Sequence, residues 1–184
     1  LPRLGDVYKR PNYLAMIHKD FKIVFFNGGF AGDLITALYN PDVFKGFDKN
    51  TTVLDKEVLK PKEPDFISWA HDKKIEYLES IKDLGVCSSH DPELALRLKD
   101  NTILVYCSDY KLANFFHGRL KREKPYMKLS LDEHMNWQKN SKQIYKRQID
   151  IVDLYKPSFL EDLQINDVRS TNILKQWLEL NKYE

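Results

Sequence analysis

The order of hydrophobic and polar positions predicts strands that alternate with helices. An apolar, β-branched and aromatic run, Ile23–Phe26, predicts a buried strand, and the glycine-rich stretch Asn27–Gly32 follows it at once. Helical spacing comes next, with Leu34, Ile35 and Leu38 on one face. Open α/β sheets often build anion sites from a strand, a glycine-rich turn and a helix, because the N–H groups of the first helical turn point at the ligand.

Two later strands are each followed directly by a helix. The segment Val86–Ser89 predicts a short strand, with Asp91 placed to cap a helix that Pro92 suits in its first turn. The run Thr102–Cys107 is continuously apolar, as expected for a parallel strand that is covered on both faces. Asp109 then stands at the N-cap position of another helix.

The remaining segments are less sharply patterned. Helical spacing is predicted over Asp65–Asp83, with its first residue as the N-cap, over the polar stretch Leu131–Arg147, and over Asn172–Leu180. Gln148–Leu154 alternates like a half-buried strand at a sheet edge. Pro41–Pro64 is predicted to be a long surface connection, either a lid over a site or a solvated excursion.

Together these elements predict an α/β fold with three layers, in which a mostly parallel sheet has helices on both faces. Ligands of such sheets bind beyond the carboxyl ends of the strands. Three such ends, Asn27–Gly32, Ser88–Asp91 and Cys107–Asp109, are therefore expected to converge. Residues 16–184 are predicted to form a single domain, and residues 1–15 an N-terminal extension, since Met16 is a natural initiator.

Composition narrows the classes of partner. The 184 residues are 42% hydrophobic and 30% charged with a net charge of +2, which describes an ordinary globular domain and gives no argument for nucleic acid. No apolar stretch approaches the ~20 residues of a membrane span, so a cytoplasmic setting without a membrane partner is expected. Cys87 and Cys107 are interpreted as reduced core thiols rather than redox groups or metal ligands. No Cys/His/Asp/Glu spacing matches a metal site.

Four segments, in this order, resemble the sulfotransferase branch of the P-loop fold. FFNGGFAGDLITAL stands at the position of that family's donor loop, and SSHDPEL at its Ser-His turn. TILVYCSDYKLANFF stands at the segment that holds a 3′-phosphate, and IDIVDL followed by ILKQWLEL at the tail. The resemblance is one of layout and covers roughly residues 21 to 180.

The resemblance implies transfer of a sulfonate group from 3′-phosphoadenosine 5′-phosphosulfate to a hydroxyl acceptor. His90 is the implied general base, a task that suits a near-neutral pKa. The positions implied in donor binding lie in the glycine-rich turn and around the third strand: Gly28, Gly29, Phe30, Ala31, Gly32, Asp33, Ser108 and Asn114.

The chain departs from that family at the donor loop. Phe30 stands where the family has a Lys or Arg, and Asp33 would repel a phosphosulfate group. Lys111 and Arg119, in a later helix, are candidates to replace the missing charge.

The glycine-rich turn and the turn at His90 each have a second interpretation. The glycines serve either to cradle an anion or to allow a tight strand-to-helix turn, and His90 is either a base or a turn residue that bonds to backbone. Two functions therefore stay open: a sulfotransferase-like enzyme, or a non-catalytic binding or assembly protein on a degenerate P-loop fold. A nucleotide kinase is a weaker third possibility, because the loop lacks the lysine and the magnesium-holding hydroxyl of phosphoryl transfer.

Overall fold

The structure, a computed structural model, describes residues 21–44, 46–47, 70–80 and 85–182. The predicted N-terminal extension, the predicted N-cap Asp65 and most of the connection over 41–64 lie outside the described residues. At the start of that connection a single 3-10 turn, Pro41–Val43, follows the first helix.

Four strands form one sheet in the order β2-β1-β3-β4, and every neighbouring pair is parallel. The α/β class is therefore confirmed, and the sheet of the described residues is entirely parallel. The strands are β1 Lys22–Phe26, β2 Val86–Ser89, β3 Thr102–Tyr106 and β4 Arg147–Asp150.

Seven helices connect and cover these strands in the part of the chain that the structure describes. They are α1 Gly32–Tyr39, α2 His71–Ser80, α3 Pro92–Arg97, α4 Tyr110–Glu123, α5 Leu131–Lys142, α6 Phe159–Asp162 and α7 Val168–Leu180. Among the described residues, no helix combines the length and the apolar character needed to cross a membrane.

Alternate side chains of the central strands point to opposite faces, and each face has its own helices. Val24 and Phe26 of β1 belong to a core cluster with residues of α1, α4 and α7. Ile23 belongs to a second cluster with residues of α2 and α3. Phe25 belongs to a third cluster, which includes Tyr145 and has Trp137 of α5 packed against it. Helices therefore cover both faces, as predicted for a three-layer arrangement.

Several element boundaries differ from the predictions. The predicted strand Gln148–Leu154 pairs only as far as Asp150, whose side chain accepts from the backbone N–H of Val152 at 3.2 Å and starts a 3-10 turn over Ile151–Tyr155. The helix predicted over Leu131–Arg147 ends at Lys142, because the chain must extend to join the sheet as β4.

Two further helices also differ in length. The C-terminal helix begins at Val168, four residues before the predicted start, because the Asp167 side chain accepts from the backbone N–H of Arg169 and caps it. Of the helix predicted over Asp65–Asp83, the structure describes the part from His71 to Ser80.

Candidate functional site

The three predicted strand ends meet at one edge of the sheet. Phe25 of β1 lies level with Ser89 of β2 and with Leu104 of β3, so the three strands end within a residue or two of one another. β2 and β3 lie on either side of β1, an arrangement in which the crevice beyond the central strands is the usual ligand position. The carboxyl edge of β1, β2 and β3 is therefore the candidate site.

The glycine-rich loop, Asn27–Ala31, crosses this edge with two residues at positive φ. Gly29 has φ 90° and Ala31 has φ 52°, and Phe30 between them is 1% exposed. The Phe30 ring meets the His134 ring edge-on, with 4.9 Å between centroids. Phe30 is thus a hydrophobic anchor of the loop in the core.

Two glycines of this segment allow close packing. A Cβ on Gly32 would lie under 3.0 Å from three ring carbons of Phe26, and a Cβ on Gly29 would lie 3.1 Å from Cβ of Leu120 in α4. Both positions therefore have a structural reason to be glycine, which agrees with the second of the two interpretations, a tight strand-to-helix turn.

The first turn of α1 still has the features of an anion site. No side chain among the described residues caps this helix, whose N-cap is Ala31. The first N–H groups of a helix lack partners within it, and they attract negative charge. Asp33 lies in the same turn and opposes a bound anion. The uncapped backbone N–H groups would favour an anion at this helix start, and the charge of Asp33 would disfavour one.

His90 lies directly against the end of β1. Its Nδ1 is 2.8 Å from the carbonyl oxygen of Phe26, and its ring packs on the Phe26 ring with centroids 4.3 Å apart. A carbonyl only accepts, so Nδ1 must donate, and in the neutral imidazole the lone pair is then on Nε2. The residue is exposed, so this nitrogen belongs to a side chain that a substrate can approach.

The residue after His90 fixes the turn. Asp91 caps α3 by accepting from the backbone N–H of Glu93 and Leu94, both at 3.1 Å. It also accepts from Lys74 Nζ at 2.8 Å and from His71 Nε2 at 3.0 Å. Burial alone would raise the pKa of Asp91, but the bonds from Lys74, Leu94 and His71 outweigh it and lower the pKa to about 2. The predicted cap is confirmed, and the charged Asp91 ties the turn to α2.

The positions proposed for a 3′-phosphate are exposed. Ser108 follows β3, and its backbone N–H donates to Asp150 at 3.1 Å. Asn114 lies on the exposed side of α4, and Lys111 is exposed in the first turn of that helix. Arg119 donates to the side chain of Asn181 at the end of α7. Of the two candidate cations, Lys111 is thus exposed at the start of α4, and Arg119 is bonded to the end of α7.

Sequence reasoning missed a group of buried polar side chains behind the loop. His134, Gln138 and Ser141 lie on the inner face of α5, and Gln138 Oε1 accepts from the backbone N–H of Cys107 at 2.7 Å. Their spacing of four and then three residues is the signal that marks them as one face of a helix.

The thiols are not available as nucleophiles. Cys87 and Cys107 are free and buried, which confirms the interpretation as core thiols. Burial raises the pKa of each to about 12, so the reactive thiolate does not form near neutral pH. Within the described residues, no group of three or more His, Cys, Asp or Glu side chains is placed to hold a metal ion.

Comparison with protein-family models, curated proteins and solved structures gives no match to this chain.

Proposed function

We propose that this chain is a sulfotransferase-like protein that binds an anionic nucleotide donor at the carboxyl edge of its sheet. The donor proposed is 3′-phosphoadenosine 5′-phosphosulfate, and the acceptor is a hydroxyl group. The single observation that carries the proposal is the position of His90, an exposed imidazole whose Nδ1 is held by the last carbonyl of β1, with its second nitrogen available as a base.

The proposed reaction is in-line transfer. The acceptor oxygen forms a bond to sulfur as the bond from sulfur to the bridging phosphate oxygen breaks. The acceptor proton passes to Nε2 of His90, and 3′-phosphoadenosine 5′-phosphate leaves. The N–H groups of Gly32, Asp33 and Leu34 would hold the sulfonate oxygens, and Lys111 is the proposed source of positive charge.

A second candidate function is a binding or assembly protein without catalysis. The observation that favours it is the burial of Phe30 at the position where the family's loop carries a cation, together with the packing of Gly29 and Gly32. Under this alternative the loop is an architectural turn, and His90 serves only to join β1 to the turn after β2.

Ligand binding separates the two candidates. We would measure the thermal midpoint with 3′-phosphoadenosine 5′-phosphate, ATP or sulfate. A ligand at 100 times its Kd stabilises the folded state by about 2.7 kcal/mol. For a chain of this size that is a rise of about 5–10 °C. The proposal predicts such a rise for the bisphosphate. A midpoint that moves with none of the three at millimolar concentration would refute the proposal and favour the binding protein.

Two matched variants locate the site. Asp33→Asn removes the opposing charge in the first turn of α1, so it should increase the shift with the bisphosphate. Glu179→Gln removes one negative charge from the exposed side of α7 and should leave the shift unchanged. Equal effects of the two substitutions would mean that only the net charge matters and that α1 is not the binding site.

The role of His90 has its own test. His90→Asn keeps an amide donor near the position of Nδ1 but has no titratable nitrogen, whereas His90→Ala removes both. If His90 is the base, both variants bind the bisphosphate and both lose sulfonate transfer to a panel of hydroxyl acceptors. Transfer that survives in His90→Asn would show a structural role instead.

A further inference from the structure

Two buried histidines face each other beneath the glycine-rich loop. His134 is fully buried, His117 is 6% exposed, and their Nδ1 atoms are 3.1 Å apart. A hydrogen bond between two imidazole nitrogens needs one N–H and one lone pair, so the neutral pair shares a single hydrogen. A proton on each Nδ1 would break this bond and place two like charges in contact.

Within the part of the chain that the structure describes, no negative charge is recorded as acting on either histidine of this pair. His134 Nε2 has no hydrogen-bond partner among the described residues, so an added N–H there would have no acceptor. Lys121 of α4 is the nearby charge that acts on His117, and it is positive. Glu133 of α5 is exposed and bonded to Ser130, and the buried Cys107 thiol stays neutral.

The pKa values follow from this environment. Burial, and then the neighbouring His117, lower the pKa of His134 to about 4. Burial, and then Lys121, lower the pKa of His117 as well. Both groups therefore resist protonation while the loop is closed, and they take up protons more readily once they reach water.

The pair supports the loop through one contact. Phe30 is the buried residue of the loop, its ring lies against His134, and it sits between two residues with positive φ. Left-handed backbone at Ala31 is unfavourable for a residue with a Cβ, and the burial of Phe30 beside it, to which the His134 ring contributes, favours the closed loop. A change at His134 therefore acts on the loop and on the start of α1.

We propose that His117 and His134 form a pH-sensitive latch, which holds the glycine-rich loop closed when neutral and releases Phe30 when protonated. The sign follows from linkage. A histidine whose pKa is lower in the closed state stabilises that state above its ordinary pKa, and the stabilisation is lost as the pH falls from about 6.5 to about 4. This inference does not depend on the proposed function.

Hydrogen exchange followed by mass spectrometry tests the latch on the full chain. We expect protection at the loop, measured on the hydrogen-bonded amides 30 and 35–38 and corrected for intrinsic exchange, to fall roughly tenfold or more between pH 7.5 and pH 5, since protonation favours the open state. Amides of β3 should keep their protection over the same range. The double variant His117→Leu/His134→Phe has no group to titrate behind Phe30, and its loop protection should lose the part of the pH dependence that the latch supplies.

Two results would overturn the proposal. The first is equal loss of protection in the loop and in β3, which would indicate global acid unfolding. The second comes from an NMR titration of the histidine rings in the wild-type chain, which needs no folded variant: His134 titrating near 6.5 without a change at the loop. Titration of His134 well below 6.5, together with loop opening, supports the latch.

Discussion

Substitution of Gly32 by alanine tests whether the strand-to-helix turn depends on close packing. Gly32 is the first residue of α1, and a Cβ there would lie under 3.0 Å from Cδ1, Cγ and Cε1 of Phe26. That ring belongs to the last residue of the central strand and is 3% exposed. The helix or the ring must therefore move for alanine to fit.

The expected cost follows from two opposing terms. Alanine is favoured over glycine in a helix interior by up to about 1 kcal/mol, and by less at the first position. Overpacking of a core costs about 1–3 kcal/mol, and occasionally more. Because the overlap involves three atoms of a rigid buried ring, we place Gly32→Ala at a net loss of about 3 kcal/mol. For a chain of this length that lowers Tm by about 6–12 °C.

The assay is urea denaturation followed by circular dichroism, with Gly118→Ala as the matched control. Gly118 lies inside α4, and the nearest atom to its added Cβ is Nη1 of Arg122 at 3.8 Å, so alanine should leave stability unchanged or raise it by up to about 1 kcal/mol. Phe26→Leu should make room for the new methyl group. The double variant Gly32→Ala/Phe26→Leu should then lose at least about 1 kcal/mol less than the two single losses combined.

Strict additivity of the two substitutions, or a Gly32→Ala variant within about 0.5 kcal/mol of the wild type, would refute this reasoning. Either result would mean that Gly32 is not required by the Phe26 ring. The glycine would then need another explanation, such as approach of a ligand.

Two further predictions concern helix starts. Asp91→Asn keeps a good N-cap but removes the charge that bonds Lys74, so it should cost about 1 kcal/mol at pH 7 after solvent screening is allowed for. The pKa of Asp91, about 2, is below its ordinary value, so its contribution is present above pH ~4 and lost toward pH 2. We would measure urea midpoints from pH 7 to pH 2. Below pH 4 the midpoint should depend less on pH in Asp91→Asn than in the wild type, and Glu93→Gln should behave like the wild type. The same pH dependence in Asp91→Asn and the wild type would contradict the low pKa assigned to Asp91. Ser130→Ala removes half of the capping box formed with Glu133 and should cost about 1 kcal/mol, whereas Ser130→Thr should not; equal urea midpoints for the two variants would contradict the role of the cap.

Local sequence patterns correctly predicted the strands of the sheet and the starts of two helices. The apolar run of β1 predicted a buried strand, and that of β3 a parallel strand covered on both faces. Asp91 and Asp109 were placed as N-caps, as the structure confirms. The glycines marked a sharp turn at the right residues. These signals act over a few residues, so the sequence alone is enough to show them.

Contacts between distant segments were not predictable in this way. Phe30 could be compared with a family's loop cation, but its packing against His134 depends on how α5 crosses the sheet. Arg119 was a candidate cation for the loop, yet it bonds Asn181 at the other end of the chain. The tautomer of His90 likewise depends on a carbonyl of β1, a partner that no local pattern indicates.

The central claim is that the carboxyl edge of the sheet binds an anionic nucleotide. The most direct measurement is an amide NMR titration with 3′-phosphoadenosine 5′-phosphate, since shifts report the location of binding as well as its strength. We expect saturable shifts concentrated at amides 28–34, at His90 and at 107–111. Shifts that map to another surface, or the absence of shifts at millimolar ligand, would contradict the claim. The glycine-rich loop would then be only a structural connection between β1 and α1.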